Sequence, residues 1–253
     1  MIDYECSERV ALITIRRPEA RNAVNGEVAA GIEAAVDRFE ADPDTWVGIL
    51  TGEGPVFSAG ADLKAVAAGQ IGSLVTRRGG FGGFVRRART KPVIAAVDGP
   101  ALAGGCELVL ACDLVVASTA ARFGLPEVKR SLVAAAGGLF RLPRALPPAI
   151  AMEVALTGDP ISAERAYHFG MVNELVEPGA ALEAARALAQ RIIANAPIAV
   201  RTSRTLILAA LAGGDDELWG LTDGAMGDVA GSEDFLEGPR AFIEKRPPVW
   251  KGR

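Results

Sequence analysis

The chain has 253 residues, half of them apolar and only 6% aromatic, a composition suited to close packing of helices on sheet and unlike that of a disordered chain. A formal net charge of −4 leaves no overall basic footprint for nucleic acid. Three cysteines, Cys6, Cys106 and Cys112, make neither a CxxC pair nor a metal-ligand spacing, so they are expected to be reduced and packed in a cytoplasmic protein.

The opening MIDYECSERV has neither the basic nor the apolar region of a secretion signal. No apolar run approaches about eighteen residues, because Asp113 interrupts the longest candidate, so no membrane span is expected. Val10 to Ile15 alternates and predicts a strand, ended by Arg16-Arg17-Pro18-Glu19. Asn25 predicts an N-cap for a helix to about Glu40, since Val28, Ile32, Ala35, Val36 and Phe39 share one helical face. Trp46 to Thr51 predicts a buried strand, followed by a loop into Phe57-Ser58-Ala59-Gly60-Ala61. Ser58 does not sit in a nucleophile elbow, because Val56 stands where GxSxG needs glycine.

From Lys64 to Lys91 the chain carries Arg77, Arg78, Arg86, Arg87 and Arg89 without an acid, interrupted by Gly79-Gly80-Phe81-Gly82-Gly83. Two readings stand side by side: a mobile cationic segment that shields an anionic tail and covers an acyl chain, or a solvated helix face with a flexible bend. Val85 in place of a third glycine rules out GxGxxG here, and no strand runs into such a helix opening elsewhere, which disfavours a dinucleotide oxidoreductase.

Val93 to Val97 predicts a buried strand, then a turn at Asp98-Gly99-Pro100, with Ala103-Gly104-Gly105 opening a helix near Cys106. That order leaves the Gly104 N–H without an intrahelical partner and aims it at the helix mouth. Glu107 falls in the first turn, where it either looks over that mouth or simply complements the helix dipole. Asp113 to Ala117 predicts another buried strand, and Arg122-Phe123-Gly124-Leu125-Pro126 then delivers Glu127 at a stiff position, unless it is only a surface acid after a turn.

Further along, a helix is expected to stop near Pro143. Pro147-Pro148 starts another that closes at Gly158, and Ser162 caps a short one ending at Gly170. The single histidine, His168, is expected near that last C-terminus in a packing or dipole role; one histidine and no acid cluster argue against a zinc site, and no Ser or Cys triad can be built without spending it. Met171 to Val176 predicts the last strand. Ala180–Asn195, Pro197–Leu211, Glu217–Val229 and Phe235–Lys245 predict a helical tail beyond a soft boundary at Asn195-Ala196-Pro197. Strands alternating with helical segments give an α/β chain with parallel-like strands, which an ordinary doubly wound fold would also fit.

The run GPALAGGCELVLACDLVVAS followed by ARFGLPEV resembles the crotonase superfamily, the enoyl-CoA hydratase and isomerase family, and Val56 to Lys64 matches that family's other oxyanion segment. The likeness extends from about residue 8 to Arg253 and includes the closing run from Ser232 to Arg246. It implies a crotonase-like spiral of strand-strand-helix turns: an acyl-CoA-binding core over residues 1–195, and a C-terminal helical oligomerisation region over 196–253 that packs into homotrimers or hexamers. It also implies an acyl-CoA thioester substrate, with coenzyme A part of the substrate and no separate cofactor or metal. The reaction implied is reversible hydration of a 2-enoyl-CoA.

By the same likeness, Ala61 and Gly104 supply two backbone N–H donors to the thioester oxygen. Glu107 and Glu127, twenty residues apart as in the family, activate water and exchange the α-proton. Coenzyme A contacts are implied around Arg21 to Ala23, at Ala59, Ala61, Asp62, Leu63, Lys64 and Gly104, and at Lys245 across a subunit boundary. Where many hydratases carry Pro-Gly-Ala-Gly-Gly-Thr-Gln-Arg-Leu, this chain has Ala134 to Leu142, and Ala103 replaces another glycine. With Arg141 to Pro148 and Phe123 to Glu127, the chain also looks like the carnitinyl-CoA dehydratase branch. A non-catalytic acyl-CoA binder is the alternative from a different class.

Overall fold

The structure, a computed structural model, describes residues 1–211 and 215–253. Its strands and helices in chain order are β1 (Ile2–Ser7), β2 (Val10–Ile15), α1 (Gly26–Ala41), β3 (Val47–Gly52), α2 (Leu63–Ala67), β4 (Val75–Thr76), β5 (Gly80–Phe81), β6 (Val93–Val97), β7 (Ala101–Leu102) and α3 (Gly104–Leu110). There follow β8 (Leu114–Ser118), β9 (Arg122–Gly124), α4 (Gly138–Ala145), α5 (Pro148–Thr157), β10 (Ile161–Ser162), α6 (Ala163–His168), β11 (Glu174–Val176), α7 (Ala181–Ile193), α8 (Pro197–Ala210), α9 (Asp215–Ala230) and α10 (Asp234–Glu244).

The large sheet has the order β1-β2-β3-β6-β8-β11 and is parallel except for the β1–β2 hairpin. Strands buried on both faces explain the near-continuous apolar runs VALITI, VGILTG, VIAAV and LVVAS. Alternate residues divide between two cores. Ile13, Leu50, Ala95 and Ala117 meet Val28, Ile32, Val36 and Phe39 of α1 on one face. Leu12, Ile49, Ile94 and Val116 meet Ala185, Leu188 and Ala189 of α7 on the other. The Asn25 side chain accepts from the Val28 N–H, and Ser162 does the same for Arg165, so both expected caps form.

A second, three-stranded sheet in the order β10-β9-β7 lies beside the large one, and its short strands gave no readable period in the sequence. Here the winding becomes visible: β6, β7 and α3 run large-sheet strand, small-sheet strand, helix, and β8, β9 and a 3-10 helix at Pro126–Arg130 repeat that order. In the small sheet Ser58 pairs with Ala101, Ala101 with Phe123 and Leu102 with Gly124, all parallel, so three turns of chain stack in register. Ala61, Gly104 and Pro126 each follow by three residues one of these paired positions, which brings them to the same edge.

Several expectations need correction. β1 was not anticipated, because IDYECS is an edge strand with polar residues that breaks the apolar pattern. The last strand starts at Glu174 rather than Met171, since Met171 and Val172 are buried before the pairing begins at the Asn173 N–H. α4 continues through Pro143 to Ala145; it begins only at Gly138, so the proline removes a single hydrogen bond from a short helix. The glycine run at 79–83 is no helix bend. Gly80, Gly82 and Gly83 all have positive φ, and a Cβ on Gly83 would lie 2.1 Å from the Ala29 carbonyl oxygen, so the run packs directly on α1.

Candidate active site

Two backbone segments meet with no side chain between them. A Cβ on Gly60 would fall 2.7 Å from the Gly104 nitrogen, and one on Gly105 would fall 2.2 Å from the Ser58 carbonyl oxygen. In the parallel bridge between Val24 and Ala61, Val24 bonds the Gly60 carbonyl and the Asp62 N–H, which turns the Ala61 N–H away from it. The Gly104 N–H is the first of α3 and has no acceptor upstream. Among the described residues, both amides are therefore free on adjacent segments. Phe81 covers Gly104, its ring 2.4 Å from where a Cβ would stand.

The approach to α3 is strained. Ala103, at φ 51° and ψ −129°, occupies a region that L-residues avoid, and its N–H is held by the Gly124 carbonyl at 2.9 Å. This is the position where the resemblance called for glycine.

One turn into α3, Glu107 is 3% exposed, and its Oε1 accepts from the Gly138 N–H at 2.9 Å. Burial pushes its carboxyl up to about 7, and the negative field of Glu127 adds to the shift, while the Gly138 and Ala136 N–H groups and Arg141 oppose it. Glu127, half-buried in the 3-10 helix after Pro126, is also raised, chiefly by desolvation. Its Oε2 is buried without a hydrogen-bond partner among the described residues. The Cys106 thiol, fully buried beside them, is pushed up by burial and by both carboxylates, which leaves it unreactive.

The remaining expected positions separate into two groups. Arg21 is exposed, in the left-handed region at φ 54°, and its carbonyl accepts from the Ala59 N–H at 3.0 Å. Buried Asn22 donates to the Glu53 and Val56 carbonyls, so the loop through Arg21 and Ala23 is stapled to the segment leading to Ala61. Asp62 is already committed: it caps α2 through the Lys64 and Ala65 N–H groups and pairs with Arg17 at 2.6 Å, which holds its carboxyl below the usual range. Leu63 and Lys64 are exposed beside it, and among the described residues Lys64 makes no ion pair. Lys245 lies elsewhere, exposed at the C-cap of α10, and no contact among the described residues brings it to this group within one chain.

Three of the five arginines in the segment from Lys64 to Lys91 are held by protein groups, while Arg77 and Arg86 are exposed. Arg78 and Arg87 pair with Asp37 and Arg78 also with Glu33, while Arg89 donates to the Ala111 carbonyl and lies over Phe84. These arginines fasten the segment to α1 and α3. The stretches holding Phe81, Gly138 and Arg141 were noted from sequence, but not the contacts that bring them to Gly104 and Glu107, because these span long separations; the Glu107 to Gly138 bond crosses 31 residues.

Stacked strand-strand-helix turns with two free amides beside two desolvated carboxyls define a crotonase-like fold, and solved structures agree: an enoyl-CoA hydratase from Mycobacterium tuberculosis H37Rv matches with TM-score 0.96 at 49% identity, over 100% of this chain and 99% of that one. The Enoyl-CoA hydratase/isomerase family profile matches residues 5–253, and the chain belongs to that family. A carnitinyl-CoA dehydratase from Salmonella typhimurium is 43% identical over 247 residues, 95% of this chain and 94% of that protein. A carnitinyl-CoA hydratase from Mycobacterium avium matches with TM-score 0.79 at 45% identity, over 100% of this chain and 98% of that one.

Proposed function

We propose that the protein is a hydro-lyase that adds water reversibly to a 2-enoyl-CoA thioester, giving the 3-hydroxyacyl-CoA. The observation that carries this reading is the pair of unpartnered amides at Ala61 and Gly104 on segments held against each other, with Glu107 and Glu127 raised by burial beside them. The thioester carbonyl takes both N–H bonds, which strengthen as its oxygen gains enolate charge; one such donor is worth about 2.7–4 kcal/mol of barrier. Glu107 accepts a proton from water as its oxygen bonds to the β-carbon, and Glu127 delivers a proton to the α-carbon. The reverse direction expels the β-hydroxyl as water. Two carboxyls raised toward neutrality can exchange protons in either direction, and their titrations are coupled.

Lys64, with the Arg21–Ala23 loop, is proposed to meet the coenzyme A phosphates and adenine, and Lys245 to do so from a neighbouring subunit. Asp62 acts there by fixing the Ala61 peptide through its cap and Arg17. No separate cofactor is required, since coenzyme A arrives as part of the substrate.

Dehydration of carnitinyl-CoA is the second reading, supported by the relatives of that name. The charge around the Glu127 to α4 loop opposes it. Arg130, Arg141 and Arg144 stand there, Lys129 is paired with Asp159, no acid occurs in the sequence between Glu127 and Glu153, and the Phe140 ring has the Arg141 and Arg144 guanidiniums 5.1 and 5.5 Å from its centre. A trimethylammonium group would meet cations rather than an anion or an open aromatic face. Initial rates with crotonyl-CoA and with carnitinyl-CoA decide between them: the proposal expects kcat/KM to favour the uncharged acyl group by about tenfold or more, and faster turnover of carnitinyl-CoA would reverse the assignment. Binding of both esters without turnover would leave only an acyl-CoA binder.

A further inference from the structure

The loop that holds Glu107 is itself held by one side chain. Arg141, on α4, reaches back with Nη1 3.3 Å from the Ala136 carbonyl oxygen and across with Nη2 2.6 Å from the Val85 carbonyl oxygen. From the first anchor runs Ala136-Gly137-Gly138, whose Gly138 N–H bonds the Glu107 carboxyl at 2.9 Å and whose Ala136 N–H also favours its charged form. Gly137 sits at φ 103°, and a Cβ there would lie 2.3 Å from Nη1, so the guanidinium lies directly on the loop. Val85 belongs to the segment that places Phe81 over Gly104. One planar fork therefore ties the Glu107 loop to the wall of the amide pocket, a job for which a lysine ammonium lacks the two-pronged geometry.

Among the described residues Arg141 forms no ion pair. Its charge is nevertheless felt at Glu107, where Glu127 from the 3-10 helix and Cys106 from α3 are the other titratable neighbours. We propose that Arg141 is a positioning residue for hydration: it fixes the Ala136–Gly138 peptides that orient Glu107. This rests on the hydratase reading above.

The test is crotonyl-CoA hydration by Arg141→Lys and Arg141→Gln, each followed across the Glu107 titration, with Glu107→Gln run alongside. Arg141→Lys keeps the charge and loses the fork, so kcat falls about tenfold at nearly unchanged KM and the acid limb of the pH profile stays in place. Arg141→Gln also loses the charge, so kcat falls about 100-fold and the acid limb moves to higher pH. If Arg141→Gln does not fold, the kcat loss of Arg141→Lys at unchanged KM decides. Wild-type kcat and pH profile in the variants that fold, or a raised KM at full kcat, would overturn the proposal. If Glu107→Gln itself keeps full turnover, the hydratase site fails; if it is inactive while the Arg141 variants behave as wild type, only the role of Arg141 falls.

Discussion

Glu107 is placed where its charge is costly. With the folded carboxyl near 7 and an ordinary value of 4.5, the folded state binds this proton more tightly than the unfolded one. The contribution to stability is complete below the unfolded value and is lost as pH rises through the folded one. The loss is on the order of 3 kcal/mol once the group is ionised in both states. Glu107→Gln, which can still accept from Gly138, is therefore expected to be more stable than the native chain at pH 8, with the advantage shrinking toward pH 5. Thermal unfolding at the two pH values checks this, and an advantage independent of pH would contradict the raised titration. Local pattern placed both acids after backbone-fixing turns but left each open to a bland reading, and the family resemblance, with its twenty-residue spacing, singled them out as a pair. The groups that tune them, Gly138, Ala136 and Arg141, were not legible as such, since no local pattern announces an N–H aimed across 31 residues.

At the scale of elements, the long parallel strands and the capped helix α1 were readable because burial on both faces and one helical stripe leave strong periods. The small sheet was hidden: β7 and β10 are two residues long and β9 three, and their register depends on stacking successive turns of chain. The glycine run at 79–83 misled in an instructive way, since the same residue type serves flexibility and close approach. The structure separates these. Gly83 touches the α1 backbone, whereas Gly69, also at positive φ, has nothing within 4 Å of where a methyl would stand. Gly83→Ala is expected to cost more than about 3 kcal/mol, combining strain with a clash that no side-chain motion relieves, and Gly69→Ala only about 1 kcal/mol. Equal denaturation midpoints for the two variants would contradict the packing role.

For the whole molecule, the winding explains the site: Ala61, Gly104 and the Pro126–Glu127 step follow stacked small-sheet positions in three successive turns, so residues far apart in sequence reach one edge. We read residues 1–195 as the unit that builds this edge and 196–253 as the region for assembly. Phe242 and Ile243 on α10 are 84% and 78% exposed, with Leu236 also outside, which leaves an apolar face. Light scattering is expected to give three or six times 26.3 kDa, and Ile243→Glu to lower that mass; a native monomer would contradict the assignment. Among the described residues no helix is long and apolar enough to cross a membrane. The central claim is that Glu107 and Glu127 serve one water molecule, and a double-mutant cycle of crotonyl-CoA hydration tests it most directly. Glu107→Gln and Glu127→Gln should each lower kcat by about 10²–10⁴ while ester binding persists, with the double variant scarcely slower than the worse single one. Full turnover in either single variant, or losses that multiply in the double, would contradict it.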